Sequence, residues 1–228
     1  MSCEKNIAIV LAAGKGTRMG SEIPKQFLKI QDKPVLYYSL KVFQDSPLIS
    51  EIILVIAKEW QGYCRENILE PYGLTKAAKM VEGGKERYDS VYAGLCSCGG
   101  CDYVFIHDGA RPFITEKILE RCMAAVREHR ACVVGMPSKD TVKIADEESN
   151  IAQTPARNLV WIIQTPQVFA YDLIREAYEE MFARGMDGIT DDAKVIEKAK
   201  QCKVKLVEGS YENIKITTPE DIKIAENF

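Results

Sequence analysis

The chain has 228 residues, enough for one sizeable core, with 46% hydrophobic and 28% charged residues, the balance of an ordinary soluble globular protein. Its formal net charge of −3 argues against non-specific nucleic-acid binding, which shows as a basic stripe; positive charge should instead gather locally around an anionic ligand. The start, Met1-Ser2-Cys3-Glu4-Lys5, passes into an apolar run without a signal-peptide pattern, and no stretch approaches the ~18 apolar residues of a membrane span, so a cytoplasmic location is expected.

Ile7–Leu11 reads as a strand. It drops into a glycine-rich loop, Leu11-Ala12-Ala13-Gly14-Lys15-Gly16-Thr17-Arg18-Met19-Gly20, with Pro24-Lys25-Gln26 just beyond. Glycines let backbone N–H groups approach phosphate oxygens while Lys and Arg neutralise them, the means of cradling a polyphosphate. The spacing also excludes two common cradles. Gly20 is followed by Ser21 without the Lys a Walker A loop needs, and Gly14, Gly16 and Gly20 are one residue too widely spaced for a dinucleotide fingerprint. Neither P-loop hydrolysis nor hydride transfer is favoured.

Further along, Pro34–Phe43 reads as a helix with Pro in its first turn, Glu51–Ala57 as a strand covered on both faces, and Trp60–Leu69 as a helix. Lys79–Glu82 is a strand, Arg87–Leu95 a helix and Tyr103–His107 a strand. Thr115 is a good N-cap for a helix to His129, whose apolar face is Ile118, Leu119, Cys122, Met123 and Val126; Cys132–Gly135 is another strand. This alternation predicts a doubly wound, mostly parallel sheet with ligands at the carboxyl ends of its strands. The glycine loop, Gly83-Gly84 and His107-Asp108-Gly109-Ala110-Arg111-Pro112 should therefore converge at one edge. Cys96, Cys98 and Cys101 contain only one C-x2-C pair, so they read as reduced thiols around a helix end and turn rather than a zinc site.

Residues 139–160 break the rhythm. An alternating stretch, an acidic turn Asp146-Glu147-Glu148-Ser149-Asn150 and a returning stretch describe a long hairpin with a modest apolar face. Such an arm packs on a second subunit, giving a homodimer, or folds as a lid over its own site. Helices follow at Asp172–Phe182 and Asp191–Lys200, strands at Lys203–Glu208 and Asn213–Thr217, and a helix begins at Pro219.

Phosphoryl and nucleotidyl transfer need in-line positioning and cationic stabilisation of the equatorial oxygens. Arg18 and Lys25 flank the glycine loop and suit that role, with Lys15 as a competitor. Asp108, ending a buried strand, can bind a ribose hydroxyl or Mg²⁺, which normally takes one or two carboxylates plus phosphate oxygens. His107 is a general base or a hydrogen-bonded core residue, and the second reading is preferred. Arg111 beside Pro112 is a rigidly placed cation, and alternation puts the Lys215 amine on one defined face. Arg157 stays open between site and surface. Thr165-Pro166-Gln167 and Thr190-Asp191-Asp192 read as polar turns; the two aspartates are a metal pair or, preferably, the acidic first turn of a helix capped by Thr190.

Eight motifs occur in order: Leu11-A-A-G-K-G-T-R-M-G20, Pro24-K-Q26, Gly83-G-K-E-R-Y-D-S-V91, His107-D-G-A-R-P-F113, Asp140-T-V-K143, Trp161-I-I-Q-T-P-Q-V-F169, Thr190-D-D-A193 and Glu212-N-I-K-I-T-T-P-E-D221. Together they span almost the whole chain, and the set closely resembles the 2-C-methyl-D-erythritol 4-phosphate cytidylyltransferases of non-mevalonate isoprenoid synthesis. The resemblance implies a Rossmann-like nucleotide-diphospho-sugar transferase fold, residues 1–228 forming one domain with a dimerisation arm at about 137–160. It implies that CTP and methylerythritol phosphate give CDP-methylerythritol and pyrophosphate with Mg²⁺, the substrate phosphate attacking the α-phosphorus. Arg18 and Lys25 match positions that stabilise the transition state. Arg157 and Lys215 match those that position methylerythritol phosphate, with Asp108, Arg111, Thr141 and Thr165 nearby. Ala12, Ala13, Gly14, Gly84 and Ser90 match cytidine-reading positions, with Gly16 and Asp108 also on the CTP side. The arm would carry Thr141 and Arg157 into the neighbouring subunit's site.

The ribitol-5-phosphate cytidylyltransferases share most of these motifs. Ala12-Ala13-Gly14, Gly109-Ala110 within the strand-end motif, and Trp161 before Gln164-Thr165-Pro166-Gln167 lean away from them. A non-catalytic nucleotide-binding protein on the same fold should have lost Arg18, Lys25 or Lys215, and all three are present. An oxidoreductase is disfavoured by the glycine spacing.

Overall fold

The computed structural model describes residues 4–14, 23–200 and 202–228. Lys15, Gly16 and Arg18 lie outside the described residues.

Strand alternation builds two cores at once. In β1 (Asn6–Leu11), Ala8 and Val10 enter one hydrophobic cluster while Ile7 and Ile9 enter another, as a period of two residues across a sheet covered on both faces requires. A small ladder of β2 (Lys29–Ile30) and β3 (Lys33–Pro34) leads into α1 (Val35–Asp45), with Pro34 at its N-cap. β4 (Glu51–Ile56) repeats the division: Ile52, Leu54 and Ile56 face the first cluster, Ile53 and Val55 the second. The expected helix after it is α2 (Gln61–Cys64) continued by a π-helical turn, Arg65–Leu69. β5 (Lys79–Glu82), α3 (Arg87–Ser97), β6 (Tyr103–Asp108), α4 (Glu116–His129) and β7 (Ala131–Pro137) then follow the anticipated order. Thr115 stands at the N-cap of α4, although its hydroxyl makes no capping bond.

The segment 139–160 holds a short hairpin, β8 (Ile144–Ala145) with β9 (Ile151–Gln153), and a 3₁₀ turn, Arg157–Leu159. From 139 to 159 every residue is exposed except Val142 and Pro155, which are half-buried. The chain returns through β10 (Trp161–Ala170), α5 (Tyr171–Arg184), α6 (Asp192–Lys200), β11 (Lys205–Glu208) and α7 (Pro219–Ala225). The seven-stranded sheet runs β11-β7-β10-β6-β1-β4-β5 and is parallel except for β10, which is antiparallel to both neighbours. Helices α1, α2 and α4 cover one face, and α3, α5 and α6 the other.

Two sequence expectations are corrected. Thr165-Pro166-Gln167 is no turn but lies inside β10, where the register against β7 shifts between Ile163 and Gln167. Pro166 has no N–H to give a ladder, and that irregularity accommodates it. Asn213–Thr217 is not a strand; it is held by Ile216 N–H donating to the Ala110 carbonyl and by Ile216 packing with Ile30, Val35 and Ala225. The cysteines sit as the spacing suggested. Cys96 is in the last turn of α3, Cys98 is buried beyond it, and Cys101 is half-buried in the turn to β6, all as free thiols.

Candidate active site

A cavity of about 350 Å³ opens at the carboxyl ends of β1, β5 and β6. Ala12, Ala13 and Gly14 line it after β1, Gly84 and Ser90 after β5, and Asp108 at the end of β6. Lys25 and Lys215 reach it from elsewhere. With Lys85 and Arg87 they set four cations against the carboxylates Glu86 and Asp108, so the cavity selects an anion although the whole chain is negative.

The glycine pair lets two loops meet. A Cβ on Gly83 would come within 2.3 Å of the Ala13 Cβ, and one on Gly84 within 2.2 Å of the Asp89 Cβ, distances no side chain tolerates. Gly84 N–H donates to the Ser90 hydroxyl at 3.1 Å. A capping box between Glu86 and Asp89 fixes the start of α3 beside them.

Lys25 stands on a 3₁₀ turn, Lys25–Phe27, anchored by buried Phe27 against Trp60 and Tyr63 and by the Gln26 amide donating to the Ala12 carbonyl at 2.5 Å. Its Nζ donates to the Ile216 carbonyl at 2.8 Å. Lys215 is flanked by Ile214 and Ile216, both in the cluster around Ile30 and Val35, so its amine projects the other way and donates to Asp108 Oδ2 at 2.7 Å. The alternation argument thus places the amine correctly, though no strand forms. Burial alone would raise the Asp108 pKa, but Arg87, Lys215 and Arg111 together hold its carboxyl well below the usual carboxylate range.

Arg111 and Thr165 stand behind Asp108 rather than in the cavity lining. Arg111 Nη1 donates to the Asn213 carbonyl at 2.7 Å, and its Nε is 4.0 Å from Asp108. The Thr165 hydroxyl accepts from the Asp108 N–H at 3.1 Å and lies 3.1 Å from His107 Nδ1. His107 Nε2 is 3.2 Å from the Arg111 carbonyl, which can only accept. Nε2 therefore carries the proton, and Thr165 donates to Nδ1. His107 is wholly buried, and burial pushes its pKa from 6.5 down to about 4; it braces the site as the hydrogen-bonded residue the sequence favoured.

Between pH 6.5 and about 4 the unfolded chain binds a proton that folded His107 refuses. Stability is intact above 6.5 and falls with pH through this window, by at most about 3 kcal/mol from this residue. Urea unfolding across the window should give His107→Asn a shallower pH slope than the parent. Equal slopes would contradict the neutral assignment.

Thr141 and Arg157 are exposed on the 139–160 segment, outside the cavity lining; Arg157 Nη1 donates to the Lys139 carbonyl at 3.4 Å. Gly16 and Arg18 fall outside the described residues. Asp191, not Thr190, caps α6: its Oδ1 accepts from Lys194 N–H at 3.0 Å and its Oδ2 from the Gln167 amide at 2.9 Å. Asp192 turns inward to Arg87. Among the described residues no cluster of three or more His, Cys, Asp or Glu is arranged to hold a metal ion.

Sequence reading passed over Gln26 and Arg87. Their available signals were a Gln next to a site lysine and an Arg in the first helical turn after the glycine pair.

Residues 6–228 match the family model of 2-C-methyl-D-erythritol 4-phosphate cytidylyltransferase. Curated proteins of that name from Lachnospira eligens and Lachnoclostridium phytofermentans are 51% and 49% identical, each alignment covering 98% of this chain, with 98% and 95% of the relatives covered. A crystal structure of 4-diphosphocytidyl-2C-methyl-D-erythritol synthase from Anaerococcus prevotii superposes with a TM-score of 0.87 at 36% identity, covering 98% of this chain and 97% of that one. The Thermus thermophilus cytidylyltransferase gives 0.76 at 29%, covering 96% of each chain. The family match over residues 6–228 and the near-full-length identity agree, and the chain belongs to the 2-C-methyl-D-erythritol 4-phosphate cytidylyltransferase family.

Proposed function

We infer that this chain transfers the cytidylyl group of CTP to 2-C-methyl-D-erythritol 4-phosphate and releases pyrophosphate. The observation that carries the mechanism is the convergence of Lys25, Lys215 and Asp108 on a cationic cavity floored by Ala12, Ala13 and Gly14. A phosphate oxygen of methylerythritol phosphate attacks the α-phosphorus of CTP, and the bond from that phosphorus to the oxygen of the β-phosphate breaks, its electrons leaving on pyrophosphate. Lys25, with Arg18 assigned from sequence alone, neutralises charge on the α-phosphate as the five-coordinate state forms. Gly84, Ser90 and the backbone of residues 12–14 hold the nucleotide. Asp108 accepts a hydroxyl of the bound substrates, and Lys215 and Arg111 keep it ionised. Asp108 is the cavity carboxylate that would help to hold Mg²⁺, with the triphosphate supplying most of its oxygens. When bound, it neutralises phosphate charge.

Thr141 and Arg157 are read as belonging to the site of a second copy. The arm carries Ile144, Ile151 and Leu159 at 48%, 65% and 77% exposure, an apolar surface suited to a partner subunit. The same reading makes residues 137–160 a dimerisation arm on one catalytic domain. No described helix is long and apolar enough to cross a membrane, and a cytoplasmic enzyme is the reading that fits.

The direct test is pyrophosphate release from CTP with methylerythritol phosphate and with ribitol phosphate in parallel. Turnover is expected at least tenfold higher in kcat/KM with methylerythritol phosphate, because a missing or misplaced hydroxyl leaves a buried polar partner unpaired. Preference for ribitol phosphate would overturn the substrate. No release with either would return the chain to a nucleotide-binding role.

A further inference from the structure

Arg87 joins two carboxylates that lie in different surroundings. Its Nη1 and Nη2 donate to Oδ1 and Oδ2 of Asp192 at 3.0 and 2.8 Å, a two-point fork, while its Nε faces Asp108 Oδ1 at 3.4 Å. Asp192 is wholly buried, and its Oδ1 also accepts the hydroxyl of wholly buried Tyr178 at 2.6 Å. A carboxylate this deep is expensive to desolvate. It is not needed as a cap for α6, because Asp191 already does that. The fork also fixes which nitrogen faces Asp108: with Nη1 and Nη2 turned to Asp192, Nε is the nitrogen directed at Asp108 Oδ1, and Asp108 Oδ2 takes Lys215 at 2.7 Å.

We propose that Tyr178 and Asp192 form a buried anchor that makes Arg87 a positioning residue, setting the orientation of the Asp108 carboxylate toward the substrates. The anchor ties α5, α6 and α3 to the end of β6, so one oxygen of the carboxylate, Oδ1, is oriented from the core while Oδ2 is held by Lys215. Only a guanidinium can do this, since its three nitrogens carry five N–H donors in one plane; a lysine amine supplies the charge but not the fork.

The inference rests on Asp108 facing substrate, and the experiment separates the two. Steady-state kinetics with both substrates and thermal unfolding are measured for R87K, for the triple variant R87M/Y178F/D192L and for D108N. R87K is expected to lose about 10²-fold in kcat/KM, the effect of a misplaced site group. The triple variant replaces the buried polar cluster by apolar groups, so its unfolding midpoint should stay near the parent's while kcat/KM remains about 10²-fold down. Parent-like turnover in the triple variant or in R87K would show that Arg87 merely neutralises Asp192. Should the triple variant not fold, Y178F decides: turnover reduced several-fold with a parent-like melting curve supports the anchor, and parent-like turnover overturns it. Full activity of D108N would instead remove the assigned role of Asp108.

Discussion

Replacing Lys25 by alanine is expected to lower kcat by about 10²- to 10³-fold, the loss seen when a positioned charge-stabilising donor is removed, with CTP affinity falling by less than about tenfold. The split follows from where the amine stands. Lys25 is carried on a 3₁₀ turn that buried Phe27 and the Gln26 amide hold to the fold, so the variant should keep its structure. The amine donates to the Ile216 carbonyl at 2.8 Å at the mouth of the cavity. A neutral carbonyl is a weak competitor for an ammonium beside a triphosphate. CTP keeps Lys85 and Lys215 as well as the backbone of residues 12–14, so ground-state binding is spread over many groups. Charge built on the α-phosphate in the five-coordinate state has fewer partners. Single-turnover measurement of pyrophosphate release, alongside a CTP binding isotherm, resolves the two effects. Unchanged kcat, or a loss of CTP binding that accounts for the whole deficit, would remove Lys25 from the chemical step.

The sheet and its ligand-binding edge were legible because β1, β4 and β6 announce themselves locally. Their apolar runs, and the glycine-bearing turns behind β1 and β6, are properties of adjacent residues. β10 was not legible for the opposite reason. Gln164, Thr165 and Gln167 are polar, yet all are buried, and each is satisfied by a distant group: Ser210, His107 and Asp191. A strand whose polar side chains are paired only in the tertiary structure looks like a turn in isolation. Lys215 shows a milder case. Ile214 and Ile216 revealed which way the amine points, but the backbone around it bonds to Ala110 rather than to a ladder. The Arg87–Asp192 fork joins residues 105 positions apart. Asp192 on its own is indistinguishable from the solvated acid that commonly opens a helix.

Arg157→Ala is expected to lose about 10²-fold in kcat/KM although Arg157 lies outside the cavity lining of its own chain. In the proposed dimer, Lys25→Ala disables a different part of the same shared site. Mixing and re-equilibrating the two inactive variants in equal amounts should therefore regain about a quarter of parental activity, because half the dimers are hybrids and each hybrid holds one intact site. The argument rests on the arm. Its side chains are exposed nearly throughout, its large aliphatics Ile144, Ile151 and Leu159 face solvent, and its base is held to the body through the Tyr211 hydroxyl donating to the Pro137 carbonyl at 2.9 Å, with Lys139 over the Tyr211 ring. A lid serving its own chain would bring Arg157 to Lys215 and Asp108, whereas here its guanidinium reaches the Lys139 carbonyl within the arm. Sedimentation supplies the second readout, with a dimer expected at micromolar concentration. A dimer whose mixed variants stay as inactive as either parent would mean each subunit completes its own site. A monomer with full activity would make the arm a lid after all.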